Sequence, residues 1–186
     1  MTSLPVPPPS PSAALMARVQ AGDRAAFAAL VQQLEGPALR LADRTLHDRA
    51  AAEDVVQVAL TRLWTLAERF DPGRGSLEGW FRRMVVNLCL DRRRSLRLVA
   101  PLEAAAEVAS GDPDPYEAAV ASDRRARLAT AMAQLAPRQR AALAMFHGDG
   151  LSMAEIAAAL DTTSKAVEGL LGRARMELRT LIDHDA

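Results

Sequence analysis

The side chains best suited to chemistry in this chain are hydrogen-bond donors for nucleic acid rather than nucleophiles. Arg83, Asn87 and Arg94 fall within about 40° of one another at the roughly 100° per residue of an α-helix. They stand in a stretch, residues 74 to 97, that holds seven arginines against only Glu78 and Asp91. Guanidinium and carboxamide donors in such a row hold phosphates, and neighbouring aromatics or a glycine-rich loop accept an unstacked base. Trp80 and the loop Asp71-Pro72-Gly73-Arg74-Gly75-Ser76 supply those features, although Trp80 on its own reads as a plain core residue. A second set lies near the C-terminus, where Lys165, Glu168, Gly169, Gly172, Met176 and Arg179 share the outer side of a leucine-bearing helix. There the cations suit phosphate or guanine, and a carboxylate suits the amino group of cytosine. Gly169 and Gly172 are each about 1 kcal/mol poorer than Ala in a helix interior, which suggests a surface that a partner backbone approaches closely. A third set, Asp54, Gln57, Thr61, Thr65 and Glu68, forms a polar stripe at spacings of three and four. Taken alone, that stripe reads as a solvated helix face.

Other chemistries find no support. Cys89 is the one cysteine, so neither an internal disulfide nor a cysteine-rich metal site can form. His47, His147 and His184 lack metal-ligand spacing, and no phosphate-binding loop or Ser/His/Asp pattern is present. No catalytic residue, metal or cofactor is expected, and the chain does not read as an enzyme. No apolar run approaches the roughly 20 residues that span a bilayer, and the start Met1-Thr2-Ser3-Leu4-Pro5 lacks the features of a signal peptide. A cytoplasmic location without membrane insertion is therefore expected. The formal net charge is zero, but it is segregated. Residues 1–100 carry fourteen arginines against ten acids, residues 101–123 six acids and no base, and residues 124–186 nine bases against seven acids. Two mildly basic blocks thus flank an acidic link.

These sets must be positioned by helices. Apolar content is 49% but aromatic content only 4%, a balance of alanine and leucine that favours helix over sheet. Residues 1–12 read as a disordered Pro-rich tail. Asp23 can cap a helix to about Leu34, Gly36-Pro37 restart a second to about His47, and Asp48 begin a third to about Ala67. The third buries Val56, Leu60 and Leu63. Ser76 then caps a long fourth helix in which Leu77, Trp80, Phe81, Met84, Val85 and Leu88 share a broad face. Residues 99–114 read as a flexible acidic linker. Asp114, Pro115 and Glu117 open a helix to about Leu135, and Pro137 opens another. Ser152 and Glu155 form a capping box, with Leu151 and Ile156 as a hydrophobic staple, at the start of a short helix. A polar turn, Asp161 to Thr163, leads to the last helix, whose apolar positions are Val167, Leu170, Leu171, Ala174, Leu178 and Leu181. The fold class expected is all-α: two small helical domains, 13–98 and 115–186, the second containing a helix-turn-helix. Such a pair usually presents its second helix to DNA, although two short amphipathic helices could equally just complete a bundle.

Several motifs in one order carry a resemblance. They are Ala52-Glu53-Asp54-Val55-Val56-Gln57 with Leu63-Trp64; Trp80-Phe81 with Asn87 and Asp91; Leu135-Ala136-Pro137 with Arg140; Gly150-Leu151-Ser152 with Glu155-Ile156-Ala157; and Arg173-Ala174-Arg175. Together, over roughly residues 13–97 and 115–182, the chain resembles bacterial RNA polymerase sigma factors of the extracytoplasmic-function (ECF) class. The resemblance implies that Asp54, Gln57 and Thr61 face core RNA polymerase at the β′ clamp helices, reversing the solvated-face reading. It implies that Arg74, Ser76, Trp80, Arg83, Asn87 and Arg94 bind and open the minus-10 promoter element. Ser164, Lys165, Glu168, Gly169 and Arg173 would read duplex minus-35 DNA while the second domain rests on the β flap, and an anti-sigma factor is the implied regulator. The chain departs from the family at Glu168, Gly169 and Leu170, where basic, small polar and arginine residues are common, and at Val58, often acidic. These departures and the zero net charge leave an alternative: a sigma-like mimic that sequesters an anti-sigma factor without binding promoter DNA. An ordinary dimeric helix-turn-helix repressor would leave the first domain without a job.

Overall fold

The computed structural model describes residues 10–99 and 127–184. Every regular element among them is helical: α1 (Pro11–Gln20), α2 (Arg24–Leu46), α3 (Arg49–Thr65), α4 (Leu77–Val99), α5 (described over 127–134), α6 (Pro137–Leu143), α7 (Met153–Leu160) and α8 (Ser164–His184). The all-α expectation holds among these residues. The expected linker, 99–114, lies outside them except for Val99, as do the expected start of α5 at Asp114 to Glu117 and most of the tail.

The helix starts follow local side-chain chemistry. Asp23 accepts from the Ala25 and Ala26 amides, and Asp48 from Ala51. Ser76 accepts from Gly79 at 3.1 Å. Each acceptor satisfies an amide that has no partner within its helix. Two expectations need correction. The chain begins a helix at Pro11, inside the stretch read as tail: Ser10 accepts from the Ala13 amide at 3.2 Å, and Met16 and Val19 are buried. The two helices expected on either side of Gly36-Pro37 are one helix of 23 residues. A proline in a helix interior costs about 3 kcal/mol. Leu30, Leu34, Ala38, Leu41 and Ala42, on both sides of it, are buried along a single face, and that burial outweighs the lost hydrogen bond. The helix ends at His47, left-handed at φ 53°, from which Asp48 starts α3 at once.

α1 to α4 enclose one core, in which Leu30, Leu63, Leu77 and Val85 are fully buried. α5 to α8 form a second, around Leu135, Met145, Ile156, Val167 and Leu171. α6 runs into a π-helical turn, Ala144–Gly148, where the apolar stretch Ala141 to Phe146 changes pitch. Gly150, at φ 65°, then redirects the chain so that Leu151 enters the core. The second core does not stop at the second unit. Leu41 of α2 and Val86 of α4 are buried within it, and Leu90 packs against it.

Candidate nucleic-acid and protein interfaces

α3 presents the polar stripe as far as Thr65, and Glu68 follows it on the 3-10 turn Ala67–Arg69. Asp54, Gln57, Thr61, Thr65 and Glu68 are all exposed, while Val55, Val56, Ala59 and Leu63 on the opposite side are buried. Leu60, expected in the core, is half-buried at its margin. Asp54, Gln57 and Thr61 line a shallow open groove with Val58, Arg62 and Arg92. Thr61 donates to the Gln57 carbonyl at 2.9 Å, so its hydroxyl is partly used within the helix. Arg92 reaches Asp54 at 3.3 Å. Sequence reasoning missed Arg92, because its place in the groove depends on how α4 packs across α3. Val58, 44% exposed, gives the groove an apolar floor beside its charges.

α4 divides into two sides. Leu77, Phe81, Val85 and Cys89 are buried in the first core, and Trp80 is half-buried with its ring 5.6 Å from that of Phe70. Arg83, Asn87 and Arg94 are exposed together, on one edge, as their spacing requires. Arg94 stands 3.8 Å from Asp91 within its own helix, whereas Arg83 meets Asp161 of the second unit at 3.0 Å. Arg74 ends a short 3-10 turn, Pro72–Arg74, in which Asp71 accepts from the Gly73 amide. Ser76 is occupied as the cap of α4, so of this set it is the side chain with least freedom for a ligand. Cys89 is fully buried, and burial pushes its thiol up to about 12.

The helix-turn-helix is fixed by several polar ties. The capping box forms as expected, with the Glu155 amide donating to Ser152 Oγ at 3.3 Å and the Ser152 amide to Glu155 Oε2 at 2.9 Å. The Ser152 hydroxyl and amide hold the Glu155 carboxyl below its usual value. The staple residues Leu151 and Ile156 are both buried. Arg138 donates to the Leu160 carbonyl at 2.6 Å and Gln139 to Glu177 at 3.0 Å, linking α6 to α7 and α8. Arg140 is fully buried and donates to the carbonyls of Ala133 and Leu135 at 2.7 and 3.2 Å, which locks the turn between α5 and α6. Asp161 closes α7 in the left-handed conformation at φ 52°, and Thr163 accepts from the Ala166 amide to start α8.

α8 buries Val167, Leu171 and Ala174 and half-buries Leu170, Leu178 and Leu181. Its outer side carries Ser164, Lys165, Glu168 and Arg173, all exposed. Gly169 is partly covered: a Cβ there would lie 3.3 Å from the Arg173 guanidinium, whereas one at Gly172 would meet nothing. The missing side chain at Gly169 thus gives Arg173 room to lie along the helix, and Gly172 is the open approach. Among the described residues no cluster has the composition of a metal site, and no helix is long and apolar enough to cross a membrane.

Comparison with known proteins bears on these surfaces. Residues 30–98 match the family model of Sigma-70 region 2, and residues 125–178 that of Sigma-70 region 4. The chain is 32% identical over 182 residues to the RNA polymerase sigma factor CnrH of Cupriavidus metallidurans, covering 92% of this chain and 94% of that protein. It is 34% identical over 164 residues to the ECF sigma factor SigE of Mycolicibacterium smegmatis, covering 85% of this chain and 63% of the relative. Among solved structures, CnrH in complex with the cytosolic domain of CnrY superposes with a TM-score of 0.66 at 28% identity, covering 93% of this chain and 97% of that one. RpoE in complex with the anti-sigma factor NepR, from Bartonella quintana, shares the fold at a TM-score of 0.62, 23% identity, and 83% and 97% coverage.

Proposed function

Because the chain belongs to the extracytoplasmic-function sigma factors, we propose that it binds core RNA polymerase and directs initiation at promoters carrying particular minus-10 and minus-35 elements. The observation that carries this reading is the coexistence, in one chain, of the exposed donor edge of α4 and an exposed helix-turn-helix whose two helix starts are capped. A module that merely occupied an inhibitor would need neither. Catalysis belongs to the polymerase, in the cytoplasm, and this protein supplies recognition.

Each surface then has a task. Asp54, Gln57 and Thr61, with Arg92 beside them, dock on the β′ clamp helices. Arg83, Asn87 and Arg94 hold the phosphates of the melted strand, while the loop from Arg74 to Ser76 and the edge of Trp80 receive an unstacked base. Lys165 and Arg173 engage the minus-35 duplex, Gly169 gives Arg173 room along the helix, Ser164 and the open Gly172 let the backbone approach, and Glu168 selects a base that offers an amino donor. The second unit rests on the β flap, and the acidic residues between the units follow a path built for nucleic acid. CnrH forms a complex with CnrY, which supports control of this protein by an anti-sigma factor.

Run-off transcription with purified core polymerase on pooled native promoters tests the proposal. Discrete transcripts that require the protein are expected. Core polymerase that gains no promoter selectivity, while the protein still captures an inhibitory partner, would favour the mimic.

A further inference from the structure

The loop 71–76 is exposed along its whole length and hangs between two buried residues, Phe70 and Leu77. Apolar burial fixes those anchors, but the polar groups beside them still need partners. α1 supplies them on both sides. At its C-terminal end the Gln20 carboxamide donates through Nε2 to the carbonyls of Ala67 and Phe70, each at 3.0 Å. Phe70 is the residue from which the loop departs, and its ring lies 5.6 Å from that of Trp80. One side chain thus ties down both the entry of the loop and the support of the neighbouring aromatic. At the N-terminal end of α1 the buried Ser12 hydroxyl donates to Glu78 at 2.5 Å, in the first turn of α4 and just beyond the exit of the loop. The Ser10 hydroxyl, 3.1 Å away, donates to Ser12 in turn, because the Ser12 proton is already given to the carboxylate. Between these ends Met16 and Val19 are buried in the first core. α1 precedes residue 30, where the match to the family model of Sigma-70 region 2 begins.

We infer that α1 is a brace for base capture, with Gln20 and Ser12 as positioning residues that hold the entry and the exit of the loop at a fixed separation. The inference rests on the reading of this loop and Trp80 as the receiver of an unstacked base. A receiving pocket adds affinity when it is shaped before the base arrives, since ordering an exposed loop on binding consumes much of what stacking returns. Both residues act through the loop rather than on the strand: the Gln20 amide protons are spent on two carbonyls, and Ser12 is buried. The donors Arg83, Asn87 and Arg94 project from α4 itself and do not depend on the brace. Loosening it therefore lowers the preference for the base and leaves the hold on the backbone.

The test uses holoenzyme assembled from core polymerase and the full chain. Its probe is a fluorescein-labelled minus-10 non-template strand of a promoter recovered by run-off transcription, intact and with an abasic site at each position in turn. The ratio of intact to abasic affinity, read by anisotropy at the position where the parental ratio is largest, measures base capture; the abasic affinity alone measures the hold on the backbone. Gln20→Met keeps the length of the side chain and removes its donors. It should lower the ratio about fivefold, the worth of a typical neutral hydrogen bond, with abasic affinity unchanged. Ser12→Ala should lower the ratio in the same way. Circular dichroism checks that each variant is folded at the assay temperature. Should Ser12→Ala fail to fold, Gln20→Met, at an exposed position, decides alone. An unchanged ratio in either folded variant would overturn the brace, and so would equal weakening on intact and abasic strands, the mark of a general loosening of the first unit. A parental protein that binds intact and abasic strands alike would remove base capture itself, and the brace with it. Parental discrimination that persists in the variants leaves base capture standing and removes the brace alone.

Discussion

Replacing Arg140 with methionine should loosen the whole second unit, because this fully buried guanidinium is the polar tie between α5 and α6. Its donations to the carbonyls of Ala133 and Leu135 are 2.7 and 3.2 Å long. A hydrogen bond from a charged donor contributes about 1.5–3 kcal/mol. The shorter bond belongs near the middle of that range, and the longer one is worth about 1 kcal/mol. Methionine keeps much of the aliphatic volume and avoids burying a charge, which returns part of the loss. The expected net destabilisation is about 2–3 kcal/mol. With a urea dependence of about 2 kcal/mol/M, the middle of the usual range, the midpoint falls by about 1–1.5 M, read by circular dichroism. Arg140→Lys should recover part of the loss, since both carbonyls accept from the single nitrogen Nη2 and one ammonium also carries several donors. Minus-35 duplex binding should weaken in the same variants at temperatures where the second unit is partly unfolded, although Arg140 touches no DNA. A urea midpoint for Arg140→Met within about 0.25 M of the parent, an effect of about 0.5 kcal/mol, would refute the reasoning.

Further outcomes follow from the same geometry. Cys89, with its thiol pushed up to about 12 by burial, should resist aromatic disulfide reagents in the native protein and react only as the first unit unfolds; fast native labelling would contradict its placement. Burial, with the positive charges of Arg140 and Arg93 outweighing Asp43, holds His47 below its ordinary 6.5. The unfolded chain therefore binds a proton at a pH where the folded chain does not, and stability declines as pH falls through about 6.5 toward the lowered native value. Urea midpoints measured from pH 8 to 5.5 should show this decline, and His47→Asn, which tolerates the left-handed turn, should flatten it. Asp54→Arg combined with Gln57→Ala sets a cation beside Arg92 in the groove and should cut core-polymerase affinity about tenfold, a loss of about 1.4 kcal/mol, with helicity unchanged; parental affinity would remove the docking assignment. Glu168→Ala should bind a wider set of minus-35 sequences with equal or greater strength, and an unaltered preference in a randomised-promoter selection would make Glu168 a bystander.

What could be read in the sequence was local. Asp23, Asp48, Ser76 and the Ser152–Glu155 pair announce helix starts because each cap is satisfied within three residues, and the edge of Arg83, Asn87 and Arg94 follows from helical pitch alone. What escaped depends on contacts distant in the chain. Pro37 looks like a break until Leu34, Ala38 and Leu41 are seen to share one buried face. Ser10 and Pro11 start a helix inside a proline-rich stretch because Met16 and Val19 have a core to enter, and because the Ser12 hydroxyl donates to Glu78 at 2.5 Å. Arg92 reaches the α3 groove only through the crossing of two helices. Val86 offered the nearest thing to a warning: it adjoins Val85 and widens the apolar surface of α4 beyond what one core needs, which is how a second partner for that helix is written in sequence.

The central claim, that this protein opens promoter DNA for the polymerase, is tested most directly by permanganate footprinting on a promoter recovered from the run-off pool. With core polymerase and the parental protein, thymines of the minus-10 element should become reactive. With Arg83→Ala and Asn87→Ala combined, closed complexes should persist while that reactivity is lost. Full thymine reactivity in the double variant, or reactivity with core polymerase alone, would contradict the account.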